Sequence, residues 1–312
     1  MDGEPLGGNG GIVKVNSKEI ETQVNQCEKQ KKVNNNVPLE GREACNLSLN
    51  NNSQQFFQLA KKLAVDGALI SETNQMPIED RSAKRHRLCE LKKQKNIENI
   101  IKKTALYCAD FDINEKLDFD WLTRFISLSE EIGNVSMQEL WAKILARELS
   151  EPGSFSFKTL QVFRDMSIHD AKLLAKACSL AIKEQNSKSI RLLTGVYQSP
   201  GLFNFLSKNR RQYCNLSHFG LSHADLLSLS ESHLIYAQES ESNLLARGEN
   251  IHFEYNGKPL KLKVRKHNVC MQFYRLTPIG VELSHLIHDK GNEEFRHYLQ
   301  QLLSRRFVVN YN

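Results

Sequence analysis

Glu282, His285 and His288 are spaced three residues apart near the end of this 312-residue chain. A helix with this spacing brings the three side chains close together, and carboxylate and imidazole groups are common ligands of Zn²⁺. His297 could approach them from a following helix. The chain has no His-Glu-x-x-His motif and no Cys-x-x-Cys pair to strengthen a metal site. The favoured interpretation is therefore an exposed polar helix face, and we expect no bound metal.

Other sequence signatures of catalysis are also missing. There is no Gly-x-x-x-x-Gly-Lys-Ser/Thr loop, no Gly-x-Gly-x-x-Gly after a predicted strand and no Gly-x-Ser-x-Gly elbow. No cysteine lies in a Cys/His nucleophile signature. We therefore expect a protein that is not an enzyme and that needs no cofactor. An enzyme of unknown type is the alternative, and a cleft at Glu148 containing a second titratable group would favour it.

Basic residues form two clusters that could contact nucleic acid. The net charge of +6 conceals basic segments at 55–110 and 186–312 and an acidic segment at 111–185. The candidate contacts on a long helix are Lys84, Arg85, Arg87, Lys92, Lys93 and Lys95. Those on a hairpin are Lys258, Lys261, Lys263, Arg265 and Lys266. Such surfaces can hold phosphates without reading base sequence. Solvated charge and docking between segments of opposite sign are the alternatives.

The N-terminal part of the chain predicts a tail followed by two helices. Residues 1–54 are rich in asparagine and almost lack periodic apolar residues, which predicts disorder. From Gln55 onward, apolar residues recur at helical spacing, and residues 80–108 contain neither Gly nor Pro. An amphipathic helix and a long basic helix are therefore predicted over 55–110. The first half of the long helix has little apolar surface, so we expect it to project into solvent or lie across a partner.

Four amphipathic helices with short loops are predicted between residues 118 and 185, inside a helical core over 111–195. Polar residues that can accept hydrogen bonds from free backbone N–H groups precede each apolar run. The expected N-terminal caps are Asp118 or Asp120, Ser136, Ser156 and Ser167. The Ser136 and Ser167 segments have the capping-box pattern, in which an acidic residue lies three positions after the cap.

Residues 196–312 predict an α+β part. Asn256-Gly257 separates two runs of alternating apolar residues, and this is a strong hairpin signal. A capping box at Ser222 starts a short helix before the hairpin, and a strand over 269–276 leads to a helix at Thr277-Pro278. This order resembles the back half of a winged helix over about residues 221–287. The predicted fold is mainly α, with a helical bundle core and a C-terminal winged-helix-like part that contains a β-hairpin.

A motif in the centre of the chain gives a more specific resemblance. Residues 141–148 read WAKILARE, and PGSFS follows at 152–156. Together with Asn96 and Asp120-Trp121, they resemble a family of uncharacterised bacterial proteins over about residues 85–185. That family has no assigned activity. The general layout also looks distantly like abortive-infection alpha-type proteins, which would imply a role in phage defence.

Structural roles account for most residues of this motif. The set expected to support the fold is Asn96, Trp121, Trp141, Glu148, Pro152, Gly153 and Ser156. Glu148 is in phase with the apolar face of its helix, and a buried carboxylate is costly unless it has partners. The candidate partners are Arg124, Asn96 and backbone N–H groups near Ser156. We favour a structural anchor over a catalytic group.

The remaining sequence features concern location and function. Seven cysteines spread singly along the chain favour reduced thiols in the cytoplasm. No segment approaches the roughly 18 apolar residues that span a bilayer, and the N-terminus lacks the pattern of a secretion signal. The leading hypothesis is a cytoplasmic, non-enzymatic interaction protein whose helical module docks a partner protein. The alternative is sequence-independent nucleic-acid binding through the basic helix and hairpin, in phage defence or regulation.

Overall fold

The computed structural model describes residues 51–108, 118–185, 189–199, 211–287 and 291–311. The chain divides into two compact units, residues 1–75 and 76–312. In the first unit, helix α1 (Asn51–Lys62) is followed by two short 3₁₀ turns, Asp66–Leu69 and Glu72–Asn74. Residues 1–50 of the predicted disordered tail lie outside the described residues. Residues 51–54 are helical, so the prediction of a tail extending to residue 54 is wrong at its end.

Five α-helices make up the helical part of the second unit, as far as the structure describes it. They are α2 (Ile78–Tyr107), α3 (Phe119–Ser129), α4 (Val135–Ser150), α5 (Phe157–Asp165) and α6 (Ile168–Ser179). The predicted long helix and the four predicted amphipathic helices are all present. Residues 111–117 of the predicted helical core lie outside the described residues. None of the helices that the structure describes is long and apolar enough to cross a membrane.

Polar side chains fix where these helices begin. Asp118 and Ser156 cap α3 and α5, and Ser167 forms a capping box with Asp170 at the start of α6, as predicted. The predicted cap of α4 is wrong. Asn134 Oδ1 accepts hydrogen bonds from the N–H groups of Ser136 and Met137, so α4 begins at Val135, two residues before the start that a cap at Ser136 requires.

The helical part is joined internally by a chain of aromatic rings. The ring of Phe125 is stacked on Trp121 with centroids 5.3 Å apart, and it meets the edge of Trp141 at 5.2 Å. Trp141 in turn contacts Phe163 of α5 at 5.1 Å. These rings are fully or almost fully buried. The two tryptophans of the motif therefore contribute to one apolar core that spans α3, α4 and α5.

Among the described residues, eight strands form a single antiparallel sheet. They are β1 (Ile182–Glu184), β2 (Ile190–Gln198), β3 (Arg211–Tyr213), β4 (Ser240–Glu241), β5 (Asn250–Tyr255), β6 (Lys258–Val264), β7 (Val269–Arg275) and β8 (Phe307–Tyr311). Their order is β4-β7-β2-β1-β5-β6-β8. Strand β3 pairs with residues 195–197 of β2, whereas β1 pairs with residues 190 and 191 of the same strand. The architecture is therefore mainly α with a sheet in the C-terminal part. The sheet begins within the segment that was predicted to be wholly helical.

The predicted hairpin is present as β5 and β6. Asn256 and Gly257 have φ angles of 50° and 72°, the left-handed conformation that a two-residue hairpin turn requires. The predicted third strand is β7, but β7 pairs with β2 and β4 and is separated from the hairpin by β2 and β1. The hairpin is also not an exposed wing, because β8 pairs with the outer side of β6. The winged-helix likeness stays a prediction.

In the described residues of this part, the α-helices that accompany the sheet are α7 (His223–Glu231), α8 (Pro278–Ser284) and α9 (Glu293–Ser304). The capping box at Ser222 and the cap at Thr277 are as predicted. Phe295 of α9 is fully buried and contacts the Tyr255 ring of β5 at 5.8 Å. The Tyr255 hydroxyl donates to the carbonyl of Ser179 at 2.8 Å, which ties the sheet to α6.

Candidate functional site

The motif residues converge on the loop between α4 and α5. The two oxygens of Glu148 accept hydrogen bonds from the backbone N–H groups of Gly153 at 2.5 Å and Phe155 at 3.0 Å. Only 2% of Glu148 is exposed. Its partners are thus the backbone donors near Ser156 that the sequence analysis considered. Arg124, another candidate, instead lies over the ring of Phe157 at 4.6 Å.

Two further contacts hold the same loop. Trp121 Nε1 donates to the carbonyl of Phe155 at 2.7 Å, so both polar groups of residue 155 are bonded to side chains. The N–H of Ser156 donates to Glu282 of α8 at 2.7 Å. Gly153 has a φ of +86°, a conformation that a residue with a Cβ adopts only with strain. The loop is therefore anchored from three helices, α3, α4 and α8.

The electrostatics of this region follow from burial. Burial raises the pKa of Glu148, the N–H groups of the loop lower it, and the nearby charge of Glu282 raises it further. Glu282 is the second titratable group near Glu148. Both carboxylates accept hydrogen bonds from the loop backbone, so the arrangement acts as a set of acceptors that orders the loop.

Three of the four residues considered for a metal site lie in the described part of the chain: Glu282, His285 and His297, the last of which is exposed on α9. Glu282 lies on α8 and binds the N–H of Ser156, and His285 follows the same helix. Burial lowers the pKa of His285, and the charges of Arg147 and Lys183 lower it further. His288 lies outside the described residues. Among the residues that the structure describes, no three His, Cys, Asp or Glu side chains are grouped closely enough to hold a metal ion.

Asn96 joins α2 to the rest of the helical part. Its Nδ2 donates to the carbonyl of Glu130 at 2.8 Å, and its Oδ1 accepts from Gln138 at 3.3 Å. Gln138 also donates to the carbonyl of Ile132 at 2.8 Å. Gln138 was not among the residues predicted from the sequence. The signal was available, because a polar residue in phase with Trp141 and Leu145 must be buried and therefore needs partners.

The first half of α2, residues 78–95, is called here the free half of α2. It contains no buried side chain, whereas Asn96, Ile100 and Thr104 of the second half are buried. Lys93 forms an ion pair with Glu130 at 2.9 Å. Within the described part of the chain, the other predicted contact residues on this helix have no acidic partner. They are Lys84, Arg85, Arg87, Lys92 and Lys95, and all five are exposed.

Two leucines lie among these basic residues. Leu88 is 43% exposed and Leu91 is 58% exposed. Helical spacing places both on the face that carries Lys84 and Lys95, because positions i, i+4, i+7 and i+11 share one side of a helix. The same geometry puts Leu91 opposite the buried Ile100, half a turn away around the helix axis. The free half of α2 thus presents a mixed basic and apolar stripe to solvent.

The second basic cluster lies on the hairpin strand β6. Lys261 and Lys263 are exposed and alternate with buried leucine and valine, as the sequence pattern predicts. Arg265 and Lys266 follow and are also exposed, and Lys258 lies 3.8 Å from Glu293. On the neighbouring strands, Lys261 is opposite His252 and Asn310, while Lys263 is opposite Asn250 and Val308. The two basic clusters are thus on separate elements.

The sheet carries a polar cavity of about 710 Å³, which no sequence motif predicted. Strands β1, β2, β5 and β7 and the segment 240–250 line it. Arg191 of β2 lies 2.5 Å from Glu184 and 4.4 Å from the ring centroid of Phe273. Burial lowers the pKa of Arg191, the charge of Glu184 raises it, and the charge of Arg275 lowers it. Arg191 and Arg275 are direct neighbours on β2 and β7.

Comparison with known proteins places the chain in a family. No curated protein and no solved structure matches it. The family described as protein of unknown function (DUF2806) matches residues 80–300. The match starts in α2 and ends in α9, so it includes both the motif loop and the polar cavity. It is consistent with the resemblance to an uncharacterised family and extends well beyond residue 185. The chain belongs to the DUF2806 family of proteins of unknown function.

Proposed function

We propose that this protein is a non-enzymatic interaction protein that docks an acidic partner protein on the free half of α2. The observation that carries the proposal is the exposure of Leu88 and Leu91 among basic side chains on one helix face. A partner helix with an apolar stripe and flanking carboxylates would cover the leucines and pair with the lysines. Binding of phosphate groups would explain the basic residues but not the exposed leucines.

The second half of α2 holds the free half in a fixed direction. Thr104 hydroxyl donates to the carbonyl of Ile100 and contacts the carbonyl of Ala142 at 3.4 Å, and Lys103 pairs with Glu139 at 2.5 Å. The helix has no Gly or Pro between these contacts and its start. Its free 18 residues extend about 27 Å at 1.5 Å per residue. A presented helix of this length suits helix-to-helix docking.

The charge of this face argues against a second copy of the same chain. An antiparallel pairing of two free halves through Leu88 and Leu91 would bring Lys84 of one copy close to Lys95 of the other. Like charges at such positions destabilise a helix pair. An acidic partner removes this repulsion, so the proposed occupant is a different protein.

Site-specific photo-cross-linking tests the proposal. A photoreactive residue at position 88 or 91 of the full chain is expected to give a discrete protein adduct in cells of the source organism. The adduct should disappear when Lys84, Lys92 and Lys95 are changed to Glu. Leu227 and Leu244 are matched control positions, because they are 52% and 57% exposed and lie elsewhere. Equal adducts at the control positions, or an adduct that survives charge reversal, would contradict the proposal.

Sequence-independent nucleic-acid binding is the second candidate. It is supported by five basic residues of α2 that have no acidic partner among the described residues, and by the exposed lysines of β6. Fluorescence anisotropy with a labelled 20-base-pair duplex tests it over a salt series. Binding with a steep salt slope that becomes shallower in K261A/K263A/R265A would favour it. Binding that is insensitive to salt and to this variant would count against it.

The setting of these interactions is also part of the proposal. We infer a cytoplasmic location from the scattered single cysteines, and a role in phage defence or regulation from the distant resemblance of the layout to abortive-infection alpha-type proteins. Phage plating on cells with and without the gene tests the defence role. Equal plaque numbers over a broad phage panel would eliminate it.

A further inference from the structure

We propose that the polar cavity on the sheet binds a small molecule with a single carboxylate, which Arg275 holds. This proposal is independent of the docking function of α2. Cavities of about 300 to 1,000 Å³ are typical of small-molecule sites, and this one measures about 710 Å³. Its floor is apolar, with Phe253, Met271 and Phe273, and Ser240 and Asn243 line its polar side.

Strand register determines which charged groups face the cavity. Residues directly opposite each other on paired strands point to the same side of a sheet. Arg191 is opposite Arg275, and Ser240 is opposite Phe273, so these four share the cavity side. Glu184 is opposite Phe253 and joins them.

Glu241 belongs to the other side of the sheet, although it contributes to the cavity wall. It is opposite Gln272, whose neighbours Met271 and Phe273 face the cavity. Its carboxylate accepts from the Tyr197 hydroxyl at 2.7 Å and from Gln272 at 2.9 Å. These bonds lower the pKa of Glu241 and keep its charge directed away from the cavity.

Of the two arginines that line the cavity, Arg275 is the one without a counter-ion among the described residues, and the carboxylate of Glu249 has no cationic partner there either. Arg191 is paired with Glu184, and Glu249 accepts from the backbone N–H of Ala246 at 2.9 Å. Arg275 is exposed and stacks on the ring of Tyr236 at 5.2 Å. In the part of the chain that the structure describes, Arg275 has no acidic partner within ion-pair distance. It also lies beside the positive charge of Arg191.

These charges favour a carboxylate over a phosphate. The guanidinium fork of one arginine matches the two oxygens of one carboxylate, with two parallel hydrogen bonds. A bound monoanion also offsets the repulsion between Arg275 and Arg191. A phosphate dianion would need a second unpaired cation, and the carboxylates of Glu184 and Glu249 would repel its additional charge. The polar side chains of Ser240 and Asn243 can hydrogen-bond the body of such a ligand.

Calorimetric titration of the full chain tests this proposal. The probes are acetate, lactate, gluconate and benzoate, with inorganic phosphate as the comparison anion. At least one carboxylate is expected to bind, and R275Q is expected to weaken that binding at least tenfold. R275K keeps the positive charge but lacks the two parallel N–H donors of the guanidinium group, so it should lose part of the affinity. Both variants should fold, because Arg275 is exposed, and circular dichroism checks this.

The control variant is K261Q/K263Q. These lysines are exposed on the opposite side of the sheet, so their loss should leave carboxylate binding unchanged. The proposal is overturned if none of the carboxylates binds, if folded R275Q binds as well as the native chain, or if phosphate binds more tightly than every carboxylate. Anion binding that K261Q/K263Q abolishes would also overturn it, because the site would then be the lysine row.

Discussion

The indole N–H of Trp121 donates a hydrogen bond of 2.7 Å to the carbonyl oxygen of Phe155, which lies 34 residues later in the chain. The N–H of the same Phe155 donates to Glu148 at 3.0 Å. Two helices therefore fix one loop residue through its backbone. This relationship gives the tryptophan, the glutamate and the PGSFS segment of the motif a common physical role, which is to order the turn from α4 into α5.

Glu148→Gln is expected to destabilise the fold by about 1 to 3 kcal/mol, because the amide can accept from only one of the two loop N–H groups and leaves a buried donor unsatisfied. Urea unfolding at pH 7 measures the change. Glu151→Gln is the matched control, since the Glu151 side chain is 66% exposed and its surface pair with Arg147 contributes less than about 0.5 kcal/mol. Equal effects of the two substitutions would refute the anchoring role.

Trp121→Phe is expected to cost about 1 to 3 kcal/mol, because the buried carbonyl of Phe155 loses its donor. Combined with Glu148→Gln, the losses should not add, since both substitutions release the same residue of the loop. A double-mutant cycle should show a coupling of about 0.5 kcal/mol or more. Strict additivity would mean that the two helices hold the loop independently.

Glu139 gives the fold a defined pH dependence. The ammonium of Lys103 and the hydroxyl of Tyr107 lower the pKa of Glu139 below its ordinary value of 4.5. Between the folded and the unfolded pKa of Glu139, the folded state therefore binds fewer protons than the unfolded state, and the free energy of unfolding rises with pH. The contribution is fully present above the unfolded pKa and is lost as the pH falls through the folded pKa.

Glu139→Gln removes this dependence. The difference in unfolding free energy between the native chain and the variant should be largest near pH 7 and should shrink as the pH is lowered toward about 3. Denaturant titrations at several pH values measure it. A difference that does not change with pH would show that Glu139 contributes nothing through its charge.

Substitutions in the two halves of α2 should differ in their effect on stability. Ile100→Ala is expected to cost about 2 to 4 kcal/mol, because Ile100 is completely buried and its loss leaves a cavity. Leu91→Ala should change stability by less than about 0.5 kcal/mol, because Leu91 is 58% exposed. Thermal unfolding compares the two. A large loss from Leu91→Ala would mean that the free half of α2 packs within the fold.

Local sequence signals predicted much of the secondary structure. Ser156, Ser167 and Ser222 cap the helices that they were expected to cap, and Asn256-Gly257 forms the expected turn. These features depend on bonds between residues a few positions apart, so a short window contains the information. The error at Ser136 is also local, because Asn134 competes for the same N–H groups.

Apart from β7, the strands outside the hairpin were harder to predict. β1 and β4 have three and two residues, too few for an alternating pattern to stand out. β2 is longer, but buried positions occur on both of its sides, so its apolar residues do not alternate. Pairing with distant strands decides that these segments are extended.

The sequence alone determined that Glu148 is buried on an apolar helix face and that Lys261 and Lys263 point away from the core, because helix and strand periodicity fix these directions. Only the tertiary structure decided which backbone groups Glu148 meets, and that Arg191 and Arg275 become neighbours across β2 and β7. Contacts between residues so far apart depend on how the whole sheet assembles. No local pattern in the chain encodes that assembly.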